Sequence, residues 1–196
     1  MVGLLVIDVQ NDFVEGGALA VKGGKKVVPR INRLIERLGE DAFVVYTMDW
    51  HPPKHSQFRQ HGGPWPVHCI QGSVGAELVR ELHKPGTLGK HHEVLRKGQH
   101  PHRDGYSGFE AVNAAGESLE QVLKKKALNT VVVCGLTTDY CVRATALDAA
   151  EAGFRVHLVL DAVAGVEPET TNKALAEMKA AGVEFHESVE TVQVAA

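Results

Sequence analysis

The chain has 196 residues, of which 44% are hydrophobic and 23% are charged. These values are ordinary for a globular protein and exclude the collagen-like, disordered and coiled-coil classes. The net charge of -3 provides no positive field for nucleic acid or an anionic membrane. No run approaches the ~18–20 apolar residues that a membrane span needs, and the N-terminus lacks a signal peptide's basic segment. Three cysteines without a CxxC pair favour a reducing compartment, so we expect a cytoplasmic protein.

Short apolar runs alternate with longer amphipathic segments along the chain. The apolar runs predict strands at 2–7, 42–48, 93–95, 130–134 and 155–160, with an edge strand at 183–185 or 189–194. Helical spacing and cap signals predict helices at 27–38, 76–82, 118–127, 140–151 and 168–181. This alternation predicts a doubly wound α/β fold: a single three-layer domain over residues 1–196, with a mostly parallel sheet and helices on both faces.

Ligands of such folds bind beyond the carboxyl ends of the strands. Asp8, Asp49, Lys97 and Cys141 lie at or just past four predicted strand ends, which makes them candidate site residues. Cys141 stands in a turn between a buried strand and a helix, where helix amides would favour the thiolate and contact a reacting carbonyl oxygen. Taken alone, a helical cysteine is more often a small buried hydrophobe, and this explanation suits Cys134.

Asp8 follows an apolar central strand, where burial would raise its pKa and suit it to accept a proton near neutral pH. The alternative is a helix cap or a hydrogen bond that anchors a loop. Lys97 is ordinarily expected to be a solvated surface lysine. If Lys97 meets Asp8 and Cys141 in space, the three supply a cation, a proton acceptor and a nucleophile.

Residues 50–72 hold four prolines and three glycines, and a loop of this length inside a compact domain is usually functional. Asp49 precedes the loop, which contains His51, His55 and His68. One carboxylate and three imidazoles suit Zn²⁺, Fe²⁺ or Mn²⁺, whereas the alternative is a set of surface histidines. Five other histidines lack such a constellation and are expected to be exposed: His61, His91, His92, His100 and His102.

Four aromatic residues near these motifs are candidates for a pocket that holds a flat ring: Phe13, Trp50, Trp65 and Tyr106. Ordinary core packing is the alternative for each of them. The residues themselves favour the pocket for Phe13 and Trp65.

Five ordered motifs together resemble the nicotinamidases of the isochorismatase-like cysteine hydrolase superfamily, over essentially the whole chain. The motifs are 7–13 (IDVQNDF), 49–55 (DWHPPKH), 65–72 (WPVHCIQG), 97–98 (KG) with 104–109 (DGYSGF), and 135–143 (GLTTDYCVR). The Asp/His motif separates nicotinamidases from metal-free relatives. The resemblance implies a six-stranded parallel sheet flanked by helices.

The resemblance also implies a role for each matching residue. Cys141 would be the nucleophile, Asp8 its proton acceptor and Lys97 the third member of a triad. Asp49, His51, His55 and His68 would bind one divalent metal ion, most often zinc. The amides of Thr137 and Cys141 would form an oxyanion hole, with a cis peptide bond before Thr137. Phe13, Trp65 and Tyr106 would line the substrate pocket.

The activity implied is hydrolysis of nicotinamide to nicotinate and ammonia in NAD salvage, through a cysteine thioester, with the metal anchoring the pyridine nitrogen. Pyrazinamide is a further candidate substrate, and a homo-oligomer is a further expectation. Two alternatives remain open. One is a related amidohydrolase that acts on a ureido or carbamoyl compound without a ring-binding metal. The other is a non-catalytic metal- or ligand-binding domain. A dinucleotide-binding protein ranks lower, because no GxGxxG motif follows the first strand.

Overall fold

The computed structural model describes residues 1–83 and 92–193 and places six strands in one sheet. The spatial order is β3-β2-β1-β4-β5-β6, and every neighbouring pair is parallel. The predicted doubly wound α/β fold is therefore confirmed, with an all-parallel sheet. The strands are β1 (Val2–Ile7), β2 (Ala42–Asp49), β3 (His92–Lys97), β4 (Thr130–Leu136), β5 (Arg155–Ala164) and β6 (Glu184–His186).

Helices cover both faces of the sheet and bury two separate hydrophobic clusters. Leu4 of β1 packs in the cluster that contains α1, whereas Leu5 packs in the cluster on the opposite face. Because both faces are buried, the central strands read as continuous apolar runs rather than as alternating ones. Helix α1 (Gly24–Leu38) lies on one face, and α2 (Leu119–Lys125), α3 (Arg143–Glu151) and α4 (Pro168–Ala180) lie on the other. Among the described helices, none has the length and apolar character needed to cross a bilayer.

The structure differs from the predicted elements in two places. The helix predicted at 76–82 is only a 3₁₀ turn, Val74–Ala76, after which Leu78 pairs with Gln10 beyond the end of β1. The apolar residues of this segment anchor a loop to the sheet, and their spacing resembles that of the buried face of a helix. The helix predicted from 140 begins with a π-helical turn, Thr138–Val142. At the C-terminus the first of the two predicted alternatives is confirmed, since the edge strand is Glu184–His186, whereas Val189–Thr191 is a 3₁₀ turn.

Candidate active site

Four neighbouring strands bring the candidate residues to one edge of the sheet. Asp8 directly follows β1, in a left-handed conformation with φ of 47°. Asp49 and Lys97 are the last residues of β2 and β3 and are paired in the sheet register. Cys141 lies in the π-helical turn after β4. Since β3, β2, β1 and β4 are consecutive in the sheet, their carboxyl ends converge on a single site.

The ammonium group of Lys97 is the centre of this site and is 1% exposed. Its Nζ atom lies 2.8 Å from Oδ2 of Asp8 and 2.5 Å from Oδ1 of Asp49. The same atom donates to the Gly105 carbonyl at 3.1 Å and lies 3.5 Å from Sγ of Cys141. Burial alone would lower the pKa of Lys97, but the Asp49 and Asp8 carboxylates hold that pKa well above its usual value. Lys97 is therefore a buried cation and not a surface lysine.

Asp8 is fully buried and is held in a fixed orientation. The Thr47 hydroxyl donates to Oδ1 of Asp8 at 2.7 Å, and the Asp8 amide donates to the Thr47 carbonyl at 3.2 Å. Burial raises the pKa of Asp8, and the ammonium of Lys97 opposes that rise in part. A carboxylate with a raised pKa beside a thiol is suited to accept a proton near neutral pH.

Cys141 is 5% exposed, and burial raises the pKa of its thiol well above the usual value although Lys97 opposes the rise. The expectation that helix amides make this residue a thiolate is therefore wrong for the resting site, because desolvation outweighs the nearby positive charge. Attack by a buried thiol requires a partner that removes its proton during the reaction. Asp8, Asp49 and Cys141 each present an atom within 4.8 Å of the others, so such a partner is at hand.

The turn that carries Cys141 is tightly closed. The peptide bond between Leu136 and Thr137 is cis, as the resemblance implies. The Thr137 carbonyl accepts hydrogen bonds from the amides of Tyr140 at 3.2 Å and Val142 at 3.0 Å. These bonds hold the backbone of the turn at the edge of the pocket described below. The role of the Thr137 and Cys141 amides in binding an oxyanion stays a prediction.

A group of possible metal ligands lies beside this site. Asp49, His51 and His68 are buried, and each offers one ligand atom within 4.8 Å of the other two. Nδ1 of His51 lies 2.9 Å from the Gly98 carbonyl, and Nδ1 of His68 lies 2.8 Å from the Pro66 carbonyl. In metal sites such bonds from one ring nitrogen orient the imidazole and leave the other nitrogen for the metal. Nε2 of His51 is buried, has no hydrogen-bond partner among the described residues and lies 3.4 Å from Oδ2 of Asp49, which fits a position where both atoms face one ion.

His55 lies outside this compact group of three but adjoins it. Its ring centroid is 4.2 Å from that of His51, and its buried Nε2 atom has no hydrogen-bond partner within residues 1–83 and 92–193. Burial, with a smaller effect of His51, lowers the pKa of His55 to about 4, and burial also lowers the pKa of His68. Burial alone would raise the pKa of Asp49, but Lys97 and His51 lower it below its usual value. Neutral imidazoles and an ionised carboxylate are the forms that bind a divalent cation, so these residues fit a divalent metal.

Four of the five histidines that were expected to be exposed lie within the described residues. His61, His100 and His102 are exposed, as expected. His92 is half-buried at the start of β3, so the expectation that it is exposed is wrong, because it pairs with Val44 of β2 in the sheet. His91 lies outside the described residues.

A pocket opens between Cys141 and the candidate metal ligands Asp49 and His68. Nε1 of Trp65 donates to the Tyr106 hydroxyl at 3.0 Å, which joins two of the predicted walls. Trp50 packs elsewhere, with the Arg96 guanidinium 4.2 Å from its ring centroid. The predicted pocket residues Phe13, Trp65 and Tyr106 all line the pocket, as does Thr137 of the predicted oxyanion hole. Four further lining residues were not singled out from the sequence: Leu19, Gln57, Tyr140 and Val166. Tyr140 adjoins Cys141 in sequence, which was an available signal, whereas Leu19, Gln57 and Val166 carried none.

The isochorismatase domain profile matches residues 2–189 of the chain. This chain belongs to the isochorismatase family. Within the family, it is 37% identical over 202 residues to the nicotinamidase of Escherichia coli (strain K12), which covers 93% of each chain. It is similar to the pyrazinamidase of Pyrococcus horikoshii, solved in complex with zinc, with 43% identity and a TM-score of 0.85. That match covers 94% of this chain and 97% of the Pyrococcus horikoshii chain. A protein of L. infantum, solved in complex with nicotinate, shares 40% identity and has a TM-score of 0.83. The match covers 94% of this chain and 91% of the L. infantum chain. The resemblance that the motifs predicted is confirmed.

Proposed function

We propose that this protein is a nicotinamidase, which hydrolyses the carboxamide of nicotinamide to nicotinate and ammonia in NAD salvage. The observation that carries the proposal is the pocket shared by Cys141, the aromatic walls and the compact Asp49, His51 and His68 group. A buried thiol with an adjacent carboxylate suits acyl transfer, and a flat apolar cleft suits an aromatic ring. The nicotinamidase of Escherichia coli and the nicotinate-bound protein of L. infantum support the same substrate.

Catalysis begins with attack of the Cys141 sulfur on the carboxamide carbon. Asp8 takes the thiol proton as the carbon–sulfur bond forms, and Lys97 stays protonated between the two buried carboxylates. The amides of Thr137 and Cys141 donate to the oxyanion; one such donor is typically worth about 3–4 kcal/mol. The proton on Asp8 passes to the departing nitrogen, which leaves as ammonia. Asp8 then accepts a proton from the water that attacks the thioester and returns it to the sulfur as the carbon–sulfur bond breaks. This step restores the thiol and the Asp8 carboxylate and releases nicotinic acid, which ionises to nicotinate.

The divalent metal proposed for this site is zinc, held by Asp49, His51, His68 and His55. Their nitrogen and oxygen donors suit Zn²⁺ and also Fe²⁺ or Mn²⁺, and the zinc complex of the Pyrococcus horikoshii relative supports the first. When bound, the ion supplies a Lewis acid that anchors the pyridine nitrogen of the substrate. His68 lines the same pocket as Cys141, so a ring held at these ligands would extend toward the sulfur.

Phe13, Trp65 and Tyr106 confine the ring between apolar surfaces, whether the ring is a pyridine or a pyrazine. Pyrazinamide is therefore proposed as a second substrate. A cytoplasmic location and a homo-oligomer stay predictions from the sequence.

Ammonia release from nicotinamide tests the proposal, measured with and without a strong chelator and beside the Cys141→Ala variant. Loss of activity with the chelator and with the variant would support both the nucleophile and the metal. Activity that survives chelation would leave the assignment of Cys141 as the nucleophile in place but would contradict the anchoring role of the metal. No release by folded, metal-loaded protein would overturn the choice of substrate, and ureido and carbamoyl compounds would then be assayed.

A further inference from the structure

Asp139 lies two residues before Cys141, in the same π-helical turn, and is 6% exposed. Its carboxylate accepts four hydrogen bonds from one short segment of chain. The Val166 amide contacts Oδ1 at 3.0 Å and Oδ2 at 3.1 Å, and the Glu167 amide donates to Oδ2 at 3.2 Å. The Thr170 hydroxyl donates to Oδ2 at 2.6 Å, a length typical of a bond to a charged acceptor.

These donors belong to the amino-terminal end of α4, whose N-cap residue Glu167 forms no side-chain cap of its own. The Asp139 carboxylate instead binds the amides of Val166 and Glu167 just before the helix, and its negative charge suits the positive end of the helix dipole. The bonds therefore tie the turn that carries Cys141 to α4.

The opposite side of the turn is held by Thr145. Its hydroxyl donates to the Cys141 carbonyl at 2.7 Å and accepts from the Gly108 amide at 2.8 Å. Gly108 follows Tyr106 closely in sequence, so this bond links the turn to the loop that carries another pocket wall. Cys141 is thus fixed on two sides, by Thr145 toward the Tyr106 loop and by Asp139 toward α4.

We propose that Asp139 is a positioning residue that sets the direction of the Cys141 sulfur by holding its turn against Val166, Glu167 and Thr170. Asp139 is not among the residues that line the pocket, so it acts on the reaction through the turn that carries Cys141. This inference rests on the proposed hydrolysis at Cys141. It is separable from that proposal because it concerns the orientation of the sulfur rather than its identity as the nucleophile.

The Asp139→Asn variant tests the inference, because the new NH₂ group must face at least one of the donors that the carboxylate accepts. A displacement of about 1 Å at a reacting atom costs on the order of 100-fold in rate. We expect kcat for nicotinamide to fall by about 10- to 100-fold, with zinc content and nicotinate affinity within about twofold of wild type. Nicotinate binding needs no attack by sulfur, so it reports on the pocket alone.

Pyridine-3-carbaldehyde supplies a readout that does not depend on turnover. The Cys141 thiol adds across its carbonyl, with sulfur bonding to carbon and the proton passing to oxygen, to give a hemithioacetal. We expect Asp139→Asn to weaken binding of this aldehyde by about tenfold or more while nicotinate affinity is retained. This comparison tests the positioning role of Asp139 even if nicotinamide is not the natural substrate.

Two milder variants test the inference in case Asp139→Asn does not fold. Thr170→Val removes one bond to Asp139 and should lower kcat and aldehyde affinity several-fold, whereas Thr170→Ser keeps the hydroxyl and should restore both. Asp148→Asn, on α3, is the matched control and should behave as wild type.

Two results would overturn the inference. The first is a kcat and an aldehyde affinity within twofold of wild type in Asp139→Asn. The second is an equal loss of nicotinate binding, zinc and activity, since that pattern marks a structural role only. Absence of ammonia release by the wild type would instead contradict the proposed function.

Discussion

The Nζ atom of Lys97 lies 2.5 Å from Oδ1 of Asp49. Lys97 belongs to the proposed triad and Asp49 to the proposed metal ligands, so one buried ion pair joins two groups that the sequence presents as separate motifs. The pair arises because the two residues end adjacent parallel strands in register. Substitutions in either group should therefore affect the other.

Lys97→Met should abolish turnover and destabilise the metal-free protein, because Asp8 and Asp49 would lose the cation between them. Removing one partner of a buried ion pair typically costs about 3–5 kcal/mol. Urea unfolding measures this change in the free energy of unfolding. Lys124→Met is the control: Lys124 pairs with Glu120 on the exposed face of α2, where such pairs contribute about 0.3–0.5 kcal/mol. Equal losses in the two variants would contradict the central role of Lys97.

Cys141→Ala should lose measurable turnover and keep its fold, since only the proposed nucleophile is removed. Circular dichroism and ammonia release check the two halves of this expectation. Cys134→Ala is the matched control, because Cys134 is buried within β4 and its Sγ contacts the Leu5 carbonyl rather than the pocket. Activity in Cys141→Ala that is free of wild-type contamination would refute the nucleophile assignment.

His51→Ala should lower the metal bound per chain and weaken nicotinamide binding, because it removes one ligand of the compact group of three. His55→Ala should lower metal content less, since His55 lies outside that group. Elemental analysis by mass spectrometry after dialysis gives the stoichiometry. His61→Ala, at an exposed histidine, should leave metal content unchanged. An unaltered stoichiometry in His51→Ala would count against the proposed ligands.

Thr47→Val should shift the acid limb of the kcat/KM pH profile to higher pH. The Thr47 hydroxyl stabilises the ionised form of Asp8, so its loss raises the pKa of Asp8, and activity requires the deprotonated form. A hydrogen bond to a charged group is worth about 1.5–3 kcal/mol, which corresponds to roughly 1–2 pH units. Well above the limb, rates should approach those of wild type. Thr130→Val, at the start of β4, is the control and should not move the acid limb. An acid limb that stays in place in Thr47→Val would contradict the assignment of Asp8 as the proton acceptor.

The sheet was predictable because its central strands are buried on both faces and therefore appear as uninterrupted apolar runs. The ends of the predicted strands then located Asp8, Asp49 and Lys97 at one edge of the sheet, since parallel strands end on the same side. Spacing alone failed at 76–82, where apolar residues anchor a loop and imitate the period of a helix. The spacing of apolar residues indicates which side chains are buried, but it does not distinguish a helix face from a loop packed against a strand.

The electrostatic state of the site was less accessible from sequence. A turn before a helix suggested a thiolate at Cys141, but the depth of burial reverses that expectation. The role of Asp139 was equally hidden, because its hydrogen-bond donors lie 27–31 residues later in the chain. Interactions of this kind depend on tertiary packing, which local pattern does not encode.

The place of β1 between β2 and β4 has a consequence for biosynthesis. Leu4 pairs with Val132, and the contact between Leu5 and Cys134 spans 129 positions. Contacts of such high contact order carry a large loop-closure entropy and slow the folding of a parallel sheet. A nascent chain therefore carries Asp8 from the start but has no site to place it in until β4 has left the ribosome and docked beside β1. A truncated translation product that ends before β4 has no competent site, however well its first half folds.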